Sequence, residues 1–180
     1  WELIEPEEGR YDFSTVDYLL KSARANGQKL ILLWFGSWKN SMSCYAPSWV
    51  KRGFNSEFEL AANSDGSIPE IMSAFSERNV RADAKAFASL MKYIRKADGS
   101  EGTVIMVQVE NEIGMLGDAR DHSKLAQNAY NSPVPYDMMY MLTSGKANDH
   151  INDVWKAAGK ATTGSWKDVF GSSLEADEIF

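Results

Sequence analysis

A chain of 180 residues with 44% hydrophobic and 24% charged side chains has ordinary globular composition, enough for one domain or a piece of a larger one. Its formal net charge of −6, with no basic stripe, argues against nucleic acid and anionic lipid surfaces as partners. No apolar run reaches the ~18 residues of a membrane span, and a single cysteine, Cys44, excludes an intramolecular disulfide.

The opening stretch, Trp1 to Ile4, reads as the end of a strand, and a chain that starts on Trp rather than Met reads as cut from a longer one. Ser14 then opens a helix. Asp17 stands three residues on as a partial capping box, and Phe13 and Tyr18 are spaced as a hydrophobic staple. Val16, Leu19, Leu20 and Ala23 share one face, and Asn26-Gly27 stops the helix. Leu30 to Phe35 is an apolar run of strand length. A second helix is expected over 80–97, with Val80, Ala84, Phe87, Met91 and Ile94 on its core face, ended by Asp98-Gly99. The stretch from Val104, ending in its acids, follows as the next strand. Residues 61–69 and 131–135 are loops, the latter between short helices.

Helix, strand, helix, strand is the signature of βαβ units and a parallel sheet. The helix-to-strand turns at 27–29 and 98–102 are short. The strand-to-helix connections are long: 36 to about 78, and 113 onward. Long loops gathered at the carboxyl ends of parallel strands are how a (β/α)8 barrel builds its active site. A doubly wound sheet would advertise a Gly-rich first turn, which is absent. A full barrel needs roughly 250 residues. The fold class expected is therefore α/β, a partial TIM barrel of roughly βα units 2 to 4. Residues 1–180 form a fragment of one catalytic domain that, alone, should fold poorly and be inactive because its sheet edges are open.

The second strand raises a chemical question, because Val104-Ile-Met-Val-Gln-Val-Glu110-Asn111-Glu112 ends in acid. Strand alternation puts Met106, Gln108, Glu110 and Glu112 on one face, with Ile105, Val107 and Val109 on the face under the helices. Asn111 joins Glu112 only if the strand kinks there. Either the strand simply ends wet, or the carboxylates stand at a rim for chemistry. A departing sugar alkoxide needs a proton, and a carboxyl group whose pKa is raised by burial and a like-charged neighbour can supply it. Glu112 beside Glu110 has the means. Trp38, Asn40, Tyr45 and Trp49 lie in the loop after the first strand. Such aromatics either stack on sugar faces beside hydrogen-bonding amides or pack the loop onto the barrel. Trp155, Trp166 and the run Met138 to Met141 read as local core, and Glu5 as a structural partner for an arginine. His122 and His150 lack metal-ligand spacing, Cys44 has no histidine nearby in sequence, and no phosphate loop occurs. No cofactor and no metal is expected.

Val107-Gln-Val-Glu-Asn-Glu-Ile-Gly114 resembles the Gln-Val-Glu-Asn-Glu-Tyr-Gly stretch of glycoside hydrolase family 35, the β-galactosidases. Trp1-Glu-Leu-Ile-Glu5-Pro6-Glu-Glu-Gly9-Arg-Tyr11-Asp12-Phe13 resembles that family's Trp-x-x-x-Glu-Pro-x-x-Gly-x-Tyr-Asp-Phe, and Pro47-Ser48-Trp49 its Pro-x-Trp. Family 42 β-galactosidases share the Trp…Glu-Pro…Gly pattern and the Asn-Glu. The resemblance implies a retaining β-glycosidase of β-galactosidase type acting on an oligosaccharide or glycoside. Glu112 would be its acid/base, and Asn111 would hold the sugar 2-hydroxyl. Trp38, Asn40, Tyr45 and Glu110 are the further candidates for substrate contact. The retaining nucleophile, a Glu on strand seven, has no counterpart here. The chain departs from family 35 in lacking the Glu of its Ala-Glu-Trp segment, where Phe35 to Asn40 stands, and in Ile113 for Tyr. Two rivals remain: a non-catalytic carbohydrate-binding barrel keeping the aromatic loop, and a divalent cation chelated by Glu110 and Glu112, which would need three or more oxygen ligands. Oligomeric state is not legible. A secreted or periplasmic location would suit the substrate, and no segment specifies one.

Overall fold

The structure, a computed structural model, describes residues 1–38, 44–110, 112, 115 and 117–180. Its elements in chain order are α1 (Ser14–Ala25), β1 (Leu30–Trp34), α2 (Ser48–Lys51), α3 (Glu77–Asp98), β2 (Val104–Val109), α4 (Lys124–Tyr130), α5 (Tyr136–Thr143), α6 (Asp149–Ala157), α7 (Trp166–Phe170) and α8 (Leu174–Ile179). They divide into two compact units, Trp1–Ala61 with Ile68–Ile113, and Ala62–Ser67 with Gly114–Phe180.

In the first unit β1 and β2 pair in parallel, Leu32 opposite Val107 and Trp34 opposite Val109. The α/β expectation holds at this level, and the long connections do follow the strands' carboxyl ends. Trp1 to Ile4 is not a strand end. It is a turn, closed by Ile4 and Glu5 N–H groups donating to the Trp1 carbonyl at 2.8 and 3.0 Å.

α1 starts where expected, but Ser14 does not cap it. Its own N–H donates to Asp12 Oδ1 at 2.8 Å, and the N-cap position, Phe13, makes no side-chain cap bond. The staple is absent too. Tyr18 is exposed, and Phe13 instead stacks on Tyr93 of α3 with ring centroids 4.2 Å apart. Val16, Leu20 and Ala23 are buried while Leu19 reaches solvent.

The buried seam of α3 differs from the expected one. It runs through Asn79, Ala82, Asp83, Ala86, Leu90 and Ile94, which leaves Val80 and Ala84 exposed and Phe87 half-buried. The Asn79 side-chain N–H2 donates to the Glu59 and Ser73 carbonyls at 2.8 and 2.9 Å, while its buried Oδ1 has no partner among the described residues.

Asp98, the last residue of α3, fastens three elements. Its carboxylate accepts from the Thr103 and Val104 N–H groups at 3.0 and 2.8 Å and from the Arg24 guanidinium of α1 at 2.7 Å. Burial opposes its charge, yet these hydrogen bonds hold its carboxyl well below the usual range.

Leu30, Leu32, Val104 and Val107 pack with buried Trp34 against α1 and α3. Ile105 and Val109, which share that side of β2, remain exposed, because the two helices cover β1 and only part of its neighbour. The opposite face is also uncovered: Ile31, Leu33 and Met106 are each more than half exposed.

The second unit is helical, with Val134, Leu142, Val169 and Phe170 at its centre and Met138, Met139, Trp155 and Trp166 packed around them. The local-core reading of those residues therefore stands, although Tyr140 and Met141 are exposed.

Candidate functional site

The carboxyl ends of β1 and β2 lie side by side. The ladder runs one bond past β2, from the Glu110 N–H to the Trp34 carbonyl at 2.8 Å. There the strand breaks. Glu110 has φ 62°, a left-handed conformation uncommon for a non-glycine residue. The kink ends the alternation. Glu110 was expected on the face of Met106 and Gln108, but its side chain turns instead toward α3.

On that side it meets Asp83. The Asp83 carboxylate accepts from the Trp34 indole N–H at 2.8 Å and from both the N–H and the hydroxyl of Ser37 at 2.6 Å. Glu110 Oε2 accepts from the Gly36 and Trp38 N–H groups, both at 3.1 Å. Burial, then a hydrogen bond to Asp83 and its charge, push the Glu110 carboxyl up to about 8 against the pull of the two amides. These surroundings favour the protonated form of Glu110, hydrogen-bonded to Asp83. Gly36 is required for this approach, because a Cβ there would lie 2.3 Å from both Asp83 carboxylate oxygens. A cleft of about 310 Å3 opens beside the pair, walled by Trp34, Trp38, Val80, Phe87 and Val109. Val80 and Phe87, expected in the core, thus line a surface.

The burial and acidic neighbour expected for Glu112 belong to Glu110 instead. Glu112 is exposed, and its carbonyl accepts from the Trp38 indole N–H at 2.9 Å. Trp38 thereby reaches Glu110 through its backbone and Glu112 through its ring. Glu110, expected as a sugar contact, has its carboxyl group engaged by protein. Tyr45 is half-buried with its ring tilted on Phe35, centroids 5.2 Å apart. Asn40 and Asn111 lie outside the described residues. Among the described residues no three or more His, Cys, Asp or Glu side chains converge as a metal site.

The motifs of the amino-terminal stretch and of the loop after β1 meet in a structural cluster. Glu5 is buried, but its partner is no arginine. It accepts from the Trp1 indole and the Gly9 N–H, both at 2.8 Å. Trp49 donates to the Glu5 carbonyl at 3.1 Å and packs edge-on against Trp1 and Phe58. This resolves Trp49 as a packing residue. Asp83 is the residue that sequence reading missed. Its one signal is an acid between Ala82 and Ala86 on the small-residue face of a helix.

The profile of the glycoside hydrolase family 42, described as β-galactosidase, matches residues 1–169. A β-galactosidase of Xanthomonas manihotis is 29% identical over 154 residues, 82% of this chain and 23% of that protein. The solved catalytic mutant of Gan42B, a family 42 β-galactosidase from G. stearothermophilus, superposes with TM-score 0.53 at 18% identity over 97% of this chain and 22% of the other. Gan42B itself gives 0.53 at 19% over 90% and 21%. The chain thus spans about a quarter or less of the length of these relatives. The family shown is 42 and not family 35, which the sequence motifs pointed to first. Trp…Glu-Pro…Gly and Asn-Glu after a strand are common to both, and the chain belongs to glycoside hydrolase family 42, the β-galactosidases.

Proposed function

We propose that this chain supplies the acid/base part of a retaining β-galactosidase that cleaves terminal β-linked galactose. In this reading Glu112 is the general acid and then the general base. The observation that carries it is the position of Glu112, solvent-accessible just past the carboxyl end of a parallel strand and held by Trp38, in a family 42 chain. A carboxylic acid there protonates the leaving oxygen as the glycosidic bond breaks, and the resulting carboxylate then takes a proton from the water that releases the sugar. Asn111 donates to the 2-hydroxyl as positive charge grows on the ring. Trp38, Asn40 and Tyr45 wall the sugar. The nucleophile is a carboxylate about 5 Å away, as retention requires, supplied by sequence other than this chain's.

The same reading makes residues 1–180 part of one catalytic (β/α)8 barrel, covering roughly its second to fourth units. Its support is the parallel pair with apolar side chains exposed on both faces, surface that further strands and helices would cover. The test is Glu112→Ala in the intact enzyme. Cleavage of an alkyl β-galactoside should fall by about 10²–10⁴-fold. Galactosylation by a dinitrophenyl galactoside, whose leaving group needs no proton, should be largely spared, with azide rescuing turnover. Equal loss on both substrates overturns the assignment.

A further inference from the structure

Five protein donors converge on two carboxyl groups. Asp83 takes the Trp34 indole and both groups of Ser37, and Glu110 takes the Gly36 and Trp38 amides. The donors all come from the five residues that carry β1 into its long loop. The acceptors come from α3 and from the kinked end of β2. Each acid thus gathers a different part of one short segment, and the left-handed backbone at Glu110 is what turns its side chain to do so. Gly36 leaves room for nothing larger than hydrogen against Asp83.

We infer that Glu110 and Asp83 form a carboxylic acid–carboxylate latch that seats the ends of β1 and β2 against α3, making Glu110 a positioning residue for Trp38 and, through it, for Glu112. The latch rests on the five donor bonds and on the hydrogen bond between the two acids; its consequence for catalysis rests on the acid/base reading of Glu112. One proton makes the bond between the two acids, with burial favouring it on Glu110. Among the described residues the other charged group that feels both acids is the Trp1 amino group, which donates to the Phe35 carbonyl at 3.1 Å and is an uncharged amide in any longer chain.

The raised carboxyl sets the sign of a pH effect. Its folded value, about 8, exceeds the ordinary value of 4.5, so between these the native state binds a proton that the unfolded chain releases. The latch therefore contributes most below about pH 4.5, and its contribution declines as pH rises through about 8.

Glu110→Gln keeps a donor for Asp83 and an acceptor for the two amides but cannot ionise, whereas Glu110→Ala removes both. Thermal midpoints of the intact protein from pH 5 to 9 should show the Gln variant gaining steadily on wild type up to about pH 8 and then running parallel. With a dinitrophenyl galactoside, kcat of the Ala variant should fall more than KM changes, and the Gln variant should recover at least tenfold over Ala. A wild-type-to-Gln difference that is constant with pH, or a Gln variant as impaired as Ala, overturns the latch. Melting needs no sugar, so a protein that melts as expected yet cleaves no galactoside overturns the functional reading and leaves the latch standing.

Discussion

The indole of Trp38 donates to the carbonyl of Glu112 at 2.9 Å, tying the segment after β1 to the residue three past the end of β2. Neither strand alone fixes where Glu112 stands. The same tryptophan is held by its own N–H on Glu110 at 3.1 Å, so one residue couples the buried carboxyl to the exposed one.

Trp38→Phe keeps an aromatic face and deletes the donor. A hydrogen bond of this kind is worth ~0.5–1.5 kcal/mol. The expected outcome is a loss of roughly two- to tenfold in kcat on alkyl galactosides in the intact enzyme. If Trp38 walls the sugar as proposed, Trp38→Ala should add a rise in KM. Steady-state kinetics of the two variants separates the effects.

Gly36→Ala places a methyl group where the Asp83 carboxylate sits. Over-packing of this kind costs ~1–3 kcal/mol. Adding Asp83→Ala removes the clashing oxygens, so the double variant should be less destabilised than the sum of the singles. Denaturant midpoints of the four proteins measure that coupling, and strict additivity would place the clash elsewhere.

Asp98→Ala should destabilise the intact protein by about 2–3 kcal/mol at neutral pH, since it strips charge-assisted hydrogen bonds from Arg24, Thr103 and Val104. The pH dependence has a defined sign. The native carboxyl is held well below its ordinary 3.8, so its contribution is fully present above that value and disappears as pH falls below it. Unfolding midpoints of wild type and Asp98→Ala should therefore converge on acidification from pH 5 to 2.

The elements were legible where periodicity is local. Val16, Leu20 and Ala23 announced α1, and the apolar runs at 30–34 and 104–109 announced strands. The seam of α3 was misread by about a quarter turn because Val80 and Phe87 look like core. The helix buries alanines, Asn79 and Asp83 instead, and partners elsewhere in the chain meet the Asn79 N–H2 and the Asp83 carboxyl group. Ser14 likewise looks like a cap, yet it is the first residue of the helix and its own N–H donates to Asp12 Oδ1.

The site divides in the same way. By itself the sequence offered Trp1…Glu5-Pro6…Gly9 and Asn111-Glu112 after an apolar strand, patterns of near neighbours read as common to families 35 and 42, and it pointed to family 35 first. Only the tertiary structure decided which carboxyl group is buried and which is exposed. That depended on the left-handed turn at Glu110 and on Asp83, 27 positions earlier in the chain, arriving beside it. The pKa of a carboxyl group is set by what surrounds it in space, and no spacing rule in one strand contains that information.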